Sequence, residues 1–228
     1  MDEIRHIDVV VFDVLGTLVD EPGGLRAAIR EAVPASDDAS VEALLTLWRE
    51  HVALQQQRIA SGRRAYASTE VIDAEAARRV ADHAGVDEPA TLARLATAGQ
   101  RLSPWDDSVA ALERFARRFP VLGLSNASRT ALPRLNAYAG LRWHQALSAE
   151  SALAYKPAPE VYQLALDTAG CPPERVLMVA AHAWDLRGAR ERGMRTAHVP
   201  RPAGDPPSRP DDCELRFDSL DALLAALG

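Results

Sequence analysis

The chain has 228 residues, 47% of them hydrophobic, which suits one large domain or a core domain with an insert. Its net charge of −6, with no basic block, argues against nucleic acid or an anionic membrane as a partner. No stretch approaches the ~20 apolar residues of a membrane span, and acidic residues precede the first apolar run. The two cysteines, Cys171 and Cys213, have no metal-type or redox spacing, so we expect reduced thiols in a cytoplasmic protein.

The first element is a short, apolar, β-branched run at residues 7–12, which predicts a buried parallel strand that ends next to Asp13. Four segments with apolar residues at three-to-four spacing follow, at 25–33, 41–59, 69–85 and 89–102, and each predicts a helix. Ser40 is the predicted N-cap of the second helix, and Gly85 the predicted stop of the third. Residues 21–100 are therefore predicted to be a helical insert.

After Trp105, predicted helices alternate with predicted strands. The helices are at 108–118, 130–140, 159–170 and 184–193, and the strands are at 120–126, 145–149, 175–181 and 195–200. Residues 200–213 contain five prolines and no periodicity, which predicts a surface loop, and a last strand (215–219) and helix (220–228) follow. The fold class is therefore α/β: a doubly wound parallel sheet formed by residues 1–20 and 101–228, with residues 21–100 as a helical cap inserted after the first strand.

Polar side chains follow four of the predicted strands, where the strands end. Asp13 and Thr17 follow the first strand, Ser125 and Asn126 end the next, Lys156 comes after the third, and Asp185 after the fourth. Ligands of open parallel sheets bind at this edge, so these residues are predicted to form one site. A carboxylate such as Asp13 is a competent nucleophile when a cation such as Lys156 keeps it ionised. Any one of these residues alone is as well explained by a helix cap or a turn.

These segments resemble the four motifs of the haloacid dehalogenase superfamily. FDVLGTL (12–18) resembles the nucleophile motif, LSNAS (124–128) the second, YKPAPEVY (155–162) the third and VAAHAWDLRGA (179–189) the fourth. The order is right, the whole core is covered, and the helical insert stands where the superfamily has its cap. The resemblance implies that Asp13 forms a covalent ester intermediate.

Within the superfamily the chain looks most like the L-2-haloacid dehalogenases. Phosphatases of the superfamily usually carry a second Asp two residues after the nucleophile to protonate an alkoxide, whereas this chain has Leu15. Halide needs no proton to leave, and an apolar Leu15 suits a dry site. Trp48-Arg49 resembles the cap Trp-Arg of the dehalogenases, and Trp184 and Tyr162 also match that family. The resemblance implies that these four residues bind substrate, together with Leu15, Asn126 and His182.

Several of these positions keep an alternative interpretation. Arg49 is also explained as a solvent-exposed arginine on the face of a helix. In that case Arg58, Arg63 or Arg64 is the alternative candidate for binding the substrate. Tyr162 is equally readable as a packing residue with its hydroxyl paired. The fourth motif departs from the dehalogenase pattern, because Ala180 and His182 stand where that pattern has Ser and Asn. His182 is then either a partner of the hydrolytic water or a structural donor.

The resemblance implies hydrolysis of short 2-haloalkanoic acids by an (S)-2-haloacid dehalogenase, with no cofactor and no metal. Asp13 attacks C2, Arg49 and Asn126 hold the halide, and Thr17 and Ser125 bind the substrate carboxylate. Lys156 keeps Asp13 ionised, and Asp185 directs water, with His182 as its candidate helper. The expected partner is the small-molecule substrate, with a homodimer as the candidate assembly. The alternatives are a Mg²⁺-dependent phosphatase of a small phosphorylated metabolite, which would lack its acid at Leu15, and a non-catalytic protein of the same fold.

Overall fold

The computed structural model describes residues 6–209 and 212–228. In these residues one parallel sheet has the strand order β3-β2-β1-β4-β5-β6. Its strands are β1 (Val9–Asp13), β2 (Val121–Ser125), β3 (Gln145–Ser148), β4 (Val176–Ala180), β5 (Arg195–His198) and β6 (Leu215–Arg216). The predicted α/β fold with a parallel sheet is confirmed, and the most apolar strands, β1, β2 and β4, are buried along their whole length.

Helices cover the sheet and form the insert. They are α1 (Glu21–Ala32), α2 (Asp38–Ala60), α3 (Thr69–Ala84), α4 (Pro89–Ala96), α5 (Ser108–Ala116), α6 (Ala131–Ala139), α7 (Pro159–Ala169), α8 (Ala183–Glu191) and α9 (Leu220–Ala226). Short 3₁₀ helices span Ala98–Gln100, Ala149–Ala152 and Pro173–Arg175. None of the helices in the described ranges is long and apolar enough to cross a membrane.

The side chains of β1 divide the core into two layers, because successive residues of a strand face opposite sides. Val10 and Phe12 pack into one cluster, where the ring of Phe12 meets that of Phe115 edge to face at 5.1 Å. Val9 and Val11 pack into the cluster on the other face, with Tyr162, Leu166 and Leu186. Both faces of the sheet are therefore covered by helices, and the carboxyl edge of the sheet is left for a site.

The helices α1–α4 have a hydrophobic cluster of their own. Its buried members include Leu25, Ile29, Val41, Trp48, Val80 and Leu95. Because this cluster is separate from the two clusters of the sheet, the insert is stabilised largely by its own packing. The boundaries predicted for a cap domain at residues 21 and 100 stay a prediction.

The structure corrects two local predictions and confirms a third. Ser40 is not the N-cap of α2: Asp37 is, and its carboxylate accepts a hydrogen bond from the Ser40 N–H at 2.8 Å. Several N-cap types stand in a row before this helix, so the sequence alone did not separate them. Gly85 does end α3, in the left-handed conformation (φ 69°). The 200–213 segment is not only a surface loop, because Cys213 is buried and residues 203–206 line a cavity.

Candidate active site

A cavity of about 450 Å³ lies between the carboxyl edge of the sheet and the insert. Asp13 ends β1 and pairs in register with Leu124, so the ends of neighbouring strands meet at one place. The cavity is lined by residues from both regions, among them Asp13, Leu15, Gly16, Glu21, Trp48, Arg49, Glu70, Asp73, Asn126, Lys156, His182, Trp184 and Asp205. Its size is that of an ordinary small-molecule site.

Lys156 joins two buried carboxylates at the floor of this cavity. Its Nζ lies 2.6 Å from Asp13 Oδ1, 2.6 Å from Asp185 Oδ2 and 3.1 Å from the carbonyl oxygen of Leu124. An ammonium group has three N–H donors, so each of them has an acceptor. The ammonium charge is thereby fixed at the two carboxylates that the sequence predicted as neighbours.

The charges of this cluster depend on one another. Burial alone lowers the pKa of Lys156, but the charges of Asp13 and Asp185 and their hydrogen bonds outweigh it, so the net pKa is raised. Burial also raises the pKa of Asp185, against the opposing effect of Lys156. Lys156 is therefore cationic over the whole physiological range, and it compensates negative charge that burial would otherwise disfavour.

Tyr162 completes the hydrogen bonding of Asp185. Its hydroxyl donates to Asp185 Oδ1 at 2.7 Å, and burial raises its pKa far above the ordinary value. Both carboxylate oxygens of Asp185 thus have a donor, and Asp185 is not among the residues that line the cavity. Gly188 makes room for this arrangement, since a Cβ there would lie 2.5 Å from the tyrosine hydroxyl. Tyr162 was predicted to bind substrate; here it is a fully buried partner of Asp185.

Thr17 contacts the nucleophile from the opposite side. Its Oγ1 donates to Asp13 Oδ2 at 2.6 Å and accepts from the Ala181 N–H at 2.9 Å. The turn that places Thr17 requires a glycine at position 16 for two reasons. Gly16 has φ +81°, and a Cβ there would lie 2.5 Å from Nε2 of the His182 ring. The hydroxyl of Thr17 therefore faces Asp13 instead of the cavity.

The second strand end contributes one residue to the cavity and one to the turn. Asn126 lines the cavity, and its Oδ1 accepts from the Lys156 backbone N–H at 2.9 Å, so its side-chain NH₂ is left for a ligand. Ser125 is fully buried, its Oγ accepts from the Ala127 N–H at 3.1 Å, and it is not among the lining residues. The structure thus brings Asn126 into the site and places Ser125 behind it.

The insert contributes the predicted Trp-Arg pair. Trp48 is buried and Arg49 is exposed, and both line the cavity from α2. Arg49 makes no ion pair with any residue in the described ranges, whereas Arg64 bonds Glu75 at 2.6 and 2.8 Å. The rivals Arg58, Arg63 and Arg64 are not among the cavity-lining residues.

Three further predicted residues form a wall near the nucleophile. Leu15, His182 and Trp184 line the cavity, and the rings of His182 and Trp184 stack with centroids 5.7 Å apart. His182 is the residue before α8, and a bridge to Asp205 holds its backbone. The fourth-motif position that departs from the family pattern therefore faces the site.

Sequence reasoning missed three acidic residues that the insert contributes to the same cavity, and also Asp205 in the loop after β5. Glu21, Glu70 and Asp73 line it from α1 and α3. Burial raises the pKa of Asp73 to about 8, with Glu21 and Glu70 adding to the effect. Burial also raises the pKa of Glu21, opposed by His182 and Arg49. The only signal in the sequence is the i, i+3 spacing of Glu70 and Asp73, which charged surface helices share.

Comparison with known proteins agrees with this geometry. A family model of haloacid dehalogenase-like hydrolases matches residues 7–193. The (S)-2-haloacid dehalogenase H-109 of Pseudomonas putida is 33% identical over 202 residues, 87% of this chain and 88% of that protein. The (S)-2-haloacid dehalogenase 4A of Burkholderia cepacia is 31% identical, over 90% of this chain and 87% of that protein.

A solved structure extends the likeness to three dimensions. The L-2-haloacid dehalogenase PA0810 superimposes with a TM-score of 0.86 at 28% identity, over 97% of this chain and 98% of that one. Fold, order of motifs and sequence similarity therefore agree over nearly the whole length. The chain belongs to the haloacid dehalogenase-like hydrolase family, and its relatives there include (S)-2-haloacid dehalogenases.

Proposed function

We propose that this protein is an (S)-2-haloacid dehalogenase that hydrolyses short 2-haloalkanoic acids to 2-hydroxy acids. The observation that carries the proposal is the Asp13 carboxylate, held by Lys156 and Thr17 at the floor of a cavity that Arg49 lines. A nucleophile, its counter-ion and a cation for an anionic substrate thus converge on one space. The (S)-2-haloacid dehalogenases similar to this chain support the substrate class.

The first step is alkylation of Asp13. One of its carboxylate oxygens attacks C2 from the side opposite the halogen, the C–O bond forms, and halide leaves with the bonding electron pair, inverting the centre. Asp13 is only 3% exposed, so little water competes for its lone pairs. Lys156 and Thr17 orient the carboxylate by one hydrogen bond to each oxygen.

The anionic groups of the substrate need donors in the cavity. Arg49 and the NH₂ group of Asn126 serve the substrate carboxylate and the departing halide. Thr17 and Ser125 are not proposed for that task, since their hydroxyls face Asp13 and the Ala127 N–H. The leaving group is the anion of a strong acid, so the apolar Leu15 beside Asp13 is no handicap.

The second step is hydrolysis of the ester. Water adds to the carbonyl carbon of the Asp13 ester and gives up a proton to His182. The bond between that carbon and the ester oxygen then breaks, the alkoxide oxygen takes the proton back from His182, and the 2-hydroxy acid leaves. Asp13 loses its remaining proton to solvent and is a carboxylate again. Lys156 and Tyr162 occupy both oxygens of Asp185, so Asp185 acts by holding Lys156 in place. His182 lines the cavity next to Gly16, and it is the proposed acceptor of the proton from water.

The remaining lining residues give the cavity its shape. Trp48, Leu15 and Trp184 provide apolar surface for the alkyl chain of the substrate. Residues 21–100 act, in this proposal, as a cap that carries Trp48 and Arg49 to the nucleophile. In the proposed enzyme the core carries the hydrolytic groups and the cap carries the substrate-selecting groups.

Two assays test the proposal. Halide release from (S)-2-chloropropionate is measured beside hydrolysis of p-nitrophenyl phosphate, each with EDTA and with Mg²⁺. Halide release that persists in EDTA, with negligible phosphate release, is the expected result. Efficient Mg²⁺-dependent phosphate release without halide from any 2-haloacid would establish the phosphatase alternative, and neither activity would favour the non-catalytic one.

A single turnover in H₂¹⁸O with enzyme in excess tests the covalent step. Because water attacks the ester carbonyl, heavy oxygen should enter Asp13 and not the first hydroxy acid formed. Mass spectrometry of the peptide that contains Asp13 measures the label, and Asp13→Asn is the control. Label in the first product would mean that water displaces halide directly.

We also propose that the enzyme works in the cytoplasm as a homodimer. Cys171 and Cys213 are free thiols, as suits a reducing compartment. Leu54 on α2 and Val71 on α3 are large apolar side chains that are 50% and 48% exposed, and burial of both against a second copy would be favourable. Light scattering of the wild type and of Leu54→Asp/Val71→Asp tests the assembly; a monomeric wild type would refute it.

A further inference from the structure

The turn that follows the nucleophile is held through three consecutive carbonyl oxygens. The indole N–H of Trp105 donates to Gly16 O at 3.2 Å, and the Trp105 backbone N–H donates to Leu18 O at 3.1 Å. Between them, Nε of Arg201 donates to Thr17 O at 2.8 Å. These donors come from the segment before α5 and from the loop after β5, so two distant parts of the chain meet at this turn.

The guanidinium of Arg201 is itself fixed by two further contacts. Its Cζ lies 5.9 Å from the ring centroid of Trp105, and Nη2 lies 2.8 Å from Asp107 Oδ1, an ion pair that lacks the angles of a hydrogen bond. The side chain is only 10% exposed. A planar guanidinium held by an aromatic ring, a carboxylate and a carbonyl oxygen has little freedom, which a flexible lysine would not reproduce.

Thr17 connects this guanidinium to the nucleophile. Its carbonyl oxygen accepts from Arg201, while its hydroxyl donates to Asp13 Oδ2 at 2.6 Å and accepts from the Ala181 N–H. Fixing the carbonyl fixes the orientation of the whole residue and therefore the direction of the hydroxyl. A misplacement of about 1 Å at a reacting group is enough to cost ~10²-fold in rate.

Arg201 also stands at the start of a segment that forms part of the cavity wall. Residues 203–206 line the cavity, and the Asp205 N–H donates to Ala181 O at 3.0 Å. Ala181 is the residue whose N–H meets Thr17 Oγ1. The loop and the nucleophile turn are thus held against the same backbone segment.

We propose that Arg201 is a positioning residue for dehalogenation, which acts through Thr17 to hold Asp13 in the orientation for attack on C2. The inference rests on the proposed function for its kinetic test, but the contact between Thr17 and Asp13 can be observed without substrate. Arg201 is not among the residues that line the cavity, so its loss should affect the chemical step more than binding.

Arg201→Ala is expected to lower kcat of halide release by ~10- to 100-fold, with KM changed less than ~3-fold. Arg201→Lys should recover only part of this loss. Trp105→Phe, which keeps the ring but removes the donor to Gly16 O, should lower kcat in the same way and serves if Arg201→Ala folds poorly. The matched control is Arg118→Ala, because Arg118 also contacts an aromatic ring and a backbone oxygen, Leu224 O, but does not line the cavity. It should lose less than ~2-fold.

A double-mutant cycle separates positioning from general destabilisation. If Arg201 acts through Thr17, then Arg201→Ala should lower kcat by less than ~3-fold when Thr17 is already Val. Equal losses in both backgrounds, or full activity of Arg201→Ala, would overturn the proposal.

A spectroscopic readout keeps the inference independent of turnover. In protein labelled with ¹³C-carboxyl aspartate, the Asp13 resonance is assigned by its absence from Asp13→Asn. Arg201→Ala and Thr17→Val should shift it in the same direction, and Arg118→Ala should not. An unchanged Asp13 resonance in Arg201→Ala would overturn the positioning role, whether or not the enzyme hydrolyses a haloacid. The absence of halide release from the wild type would count only against the proposed function.

Discussion

The two walls of the cavity differ in how their charged groups are partnered. On the core side, Asp13, Lys156 and Asp185 use their charged atoms in short hydrogen bonds within a buried cluster. On the insert side, Arg49 and Asp73 line the cavity without a hydrogen bond or ion pair to any residue in the described ranges.

This difference separates two tasks. The core-side groups are already held by hydrogen bonds, so they need not rearrange when negative charge moves from Asp13 to the leaving halide. The core side therefore suits the covalent steps. The unpaired guanidinium of Arg49 is available to an anionic ligand, whereas Asp73 is uncharged below about pH 8, so the insert side suits selection and capture of the substrate. Changes on the core side should therefore impair chemistry and stability together, and changes on the insert side should affect binding and pH dependence.

The largest effect is expected from Lys156→Met. It leaves Asp13 and Asp185 as two buried carboxylates without a counter-ion, so turnover should vanish and the free energy of unfolding should fall by ~3–5 kcal/mol. Halide release and urea denaturation measure both. Arg64→Met on the insert breaks the more exposed pair with Glu75 and should cost ~1 kcal/mol or less. Equal destabilisation by the two substitutions would contradict the larger cost expected for removing the cation of a buried cluster.

Tyr162→Phe should have the next largest effect. It removes the donor to Asp185 Oδ1, a buried hydrogen bond to a charged group worth about 2 kcal/mol, so kcat should fall by up to ~30-fold. Tyr155→Phe is the matched control, because its hydroxyl donates to a neutral carbonyl, Ala67 O, at 2.7 Å. We expect less than ~3-fold loss from it. A larger loss of kcat in Tyr155→Phe than in Tyr162→Phe would mean that the contact of Tyr155 with the insert matters more for turnover than the hydrogen bond to Asp185.

Arg49→Ala tests the insert side directly. The variant should lose at least ~10-fold in kcat/KM, about 1.4 kcal/mol, with thermal stability within ~0.5 kcal/mol of wild type because the side chain is exposed and unpaired. Arg58→Ala and Arg63→Ala, outside the cavity, should lose less than ~2-fold. If one of them loses more than Arg49→Ala, another arginine captures the substrate.

Asp73→Asn should have the smallest effect on turnover and a distinct effect on pH dependence. With a pKa of about 8 in the folded protein against an ordinary value of 3.8, Asp73 takes up a proton on folding between roughly pH 4 and 8. The unfolded chain binds fewer protons in that window, so stability falls as pH rises through it. The variant should flatten this decline in urea titrations from pH 5 to 9.

The same titration should also act on the substrate. Ionised Asp73 repels an anionic haloacid, so the KM of the wild type should rise above about pH 8, and that of Asp73→Asn should rise less. Asp82→Asn controls for the loss of an exposed negative charge on the same helix. A wild-type profile of stability that is flat from pH 5 to 8 would contradict the assignment.

Much of the fold and the centre of the site were predictable from local patterns. Alternating helices and strands determined the parallel sheet, and Asp13, Lys156 and Asp185 converge because the carboxyl ends of parallel strands meet at one edge. The motif resemblance added Arg49 and His182, which both line the cavity.

Tertiary packing decided how each group is used. The hydroxyls of Thr17 and Ser125 could each bind a substrate carboxylate, as the sequence analysis expected. Only the folded turns show that the Thr17 hydroxyl faces Asp13 and that the Ser125 hydroxyl faces the Ala127 N–H. Arg201 and Thr17 are 184 positions apart, and Glu21 meets Asp73 only after α1 and α3 have packed. Periodicity reports which face of one element is buried, but it contains no information on which distant side chain the packed face meets, so these contacts were set by the tertiary structure alone.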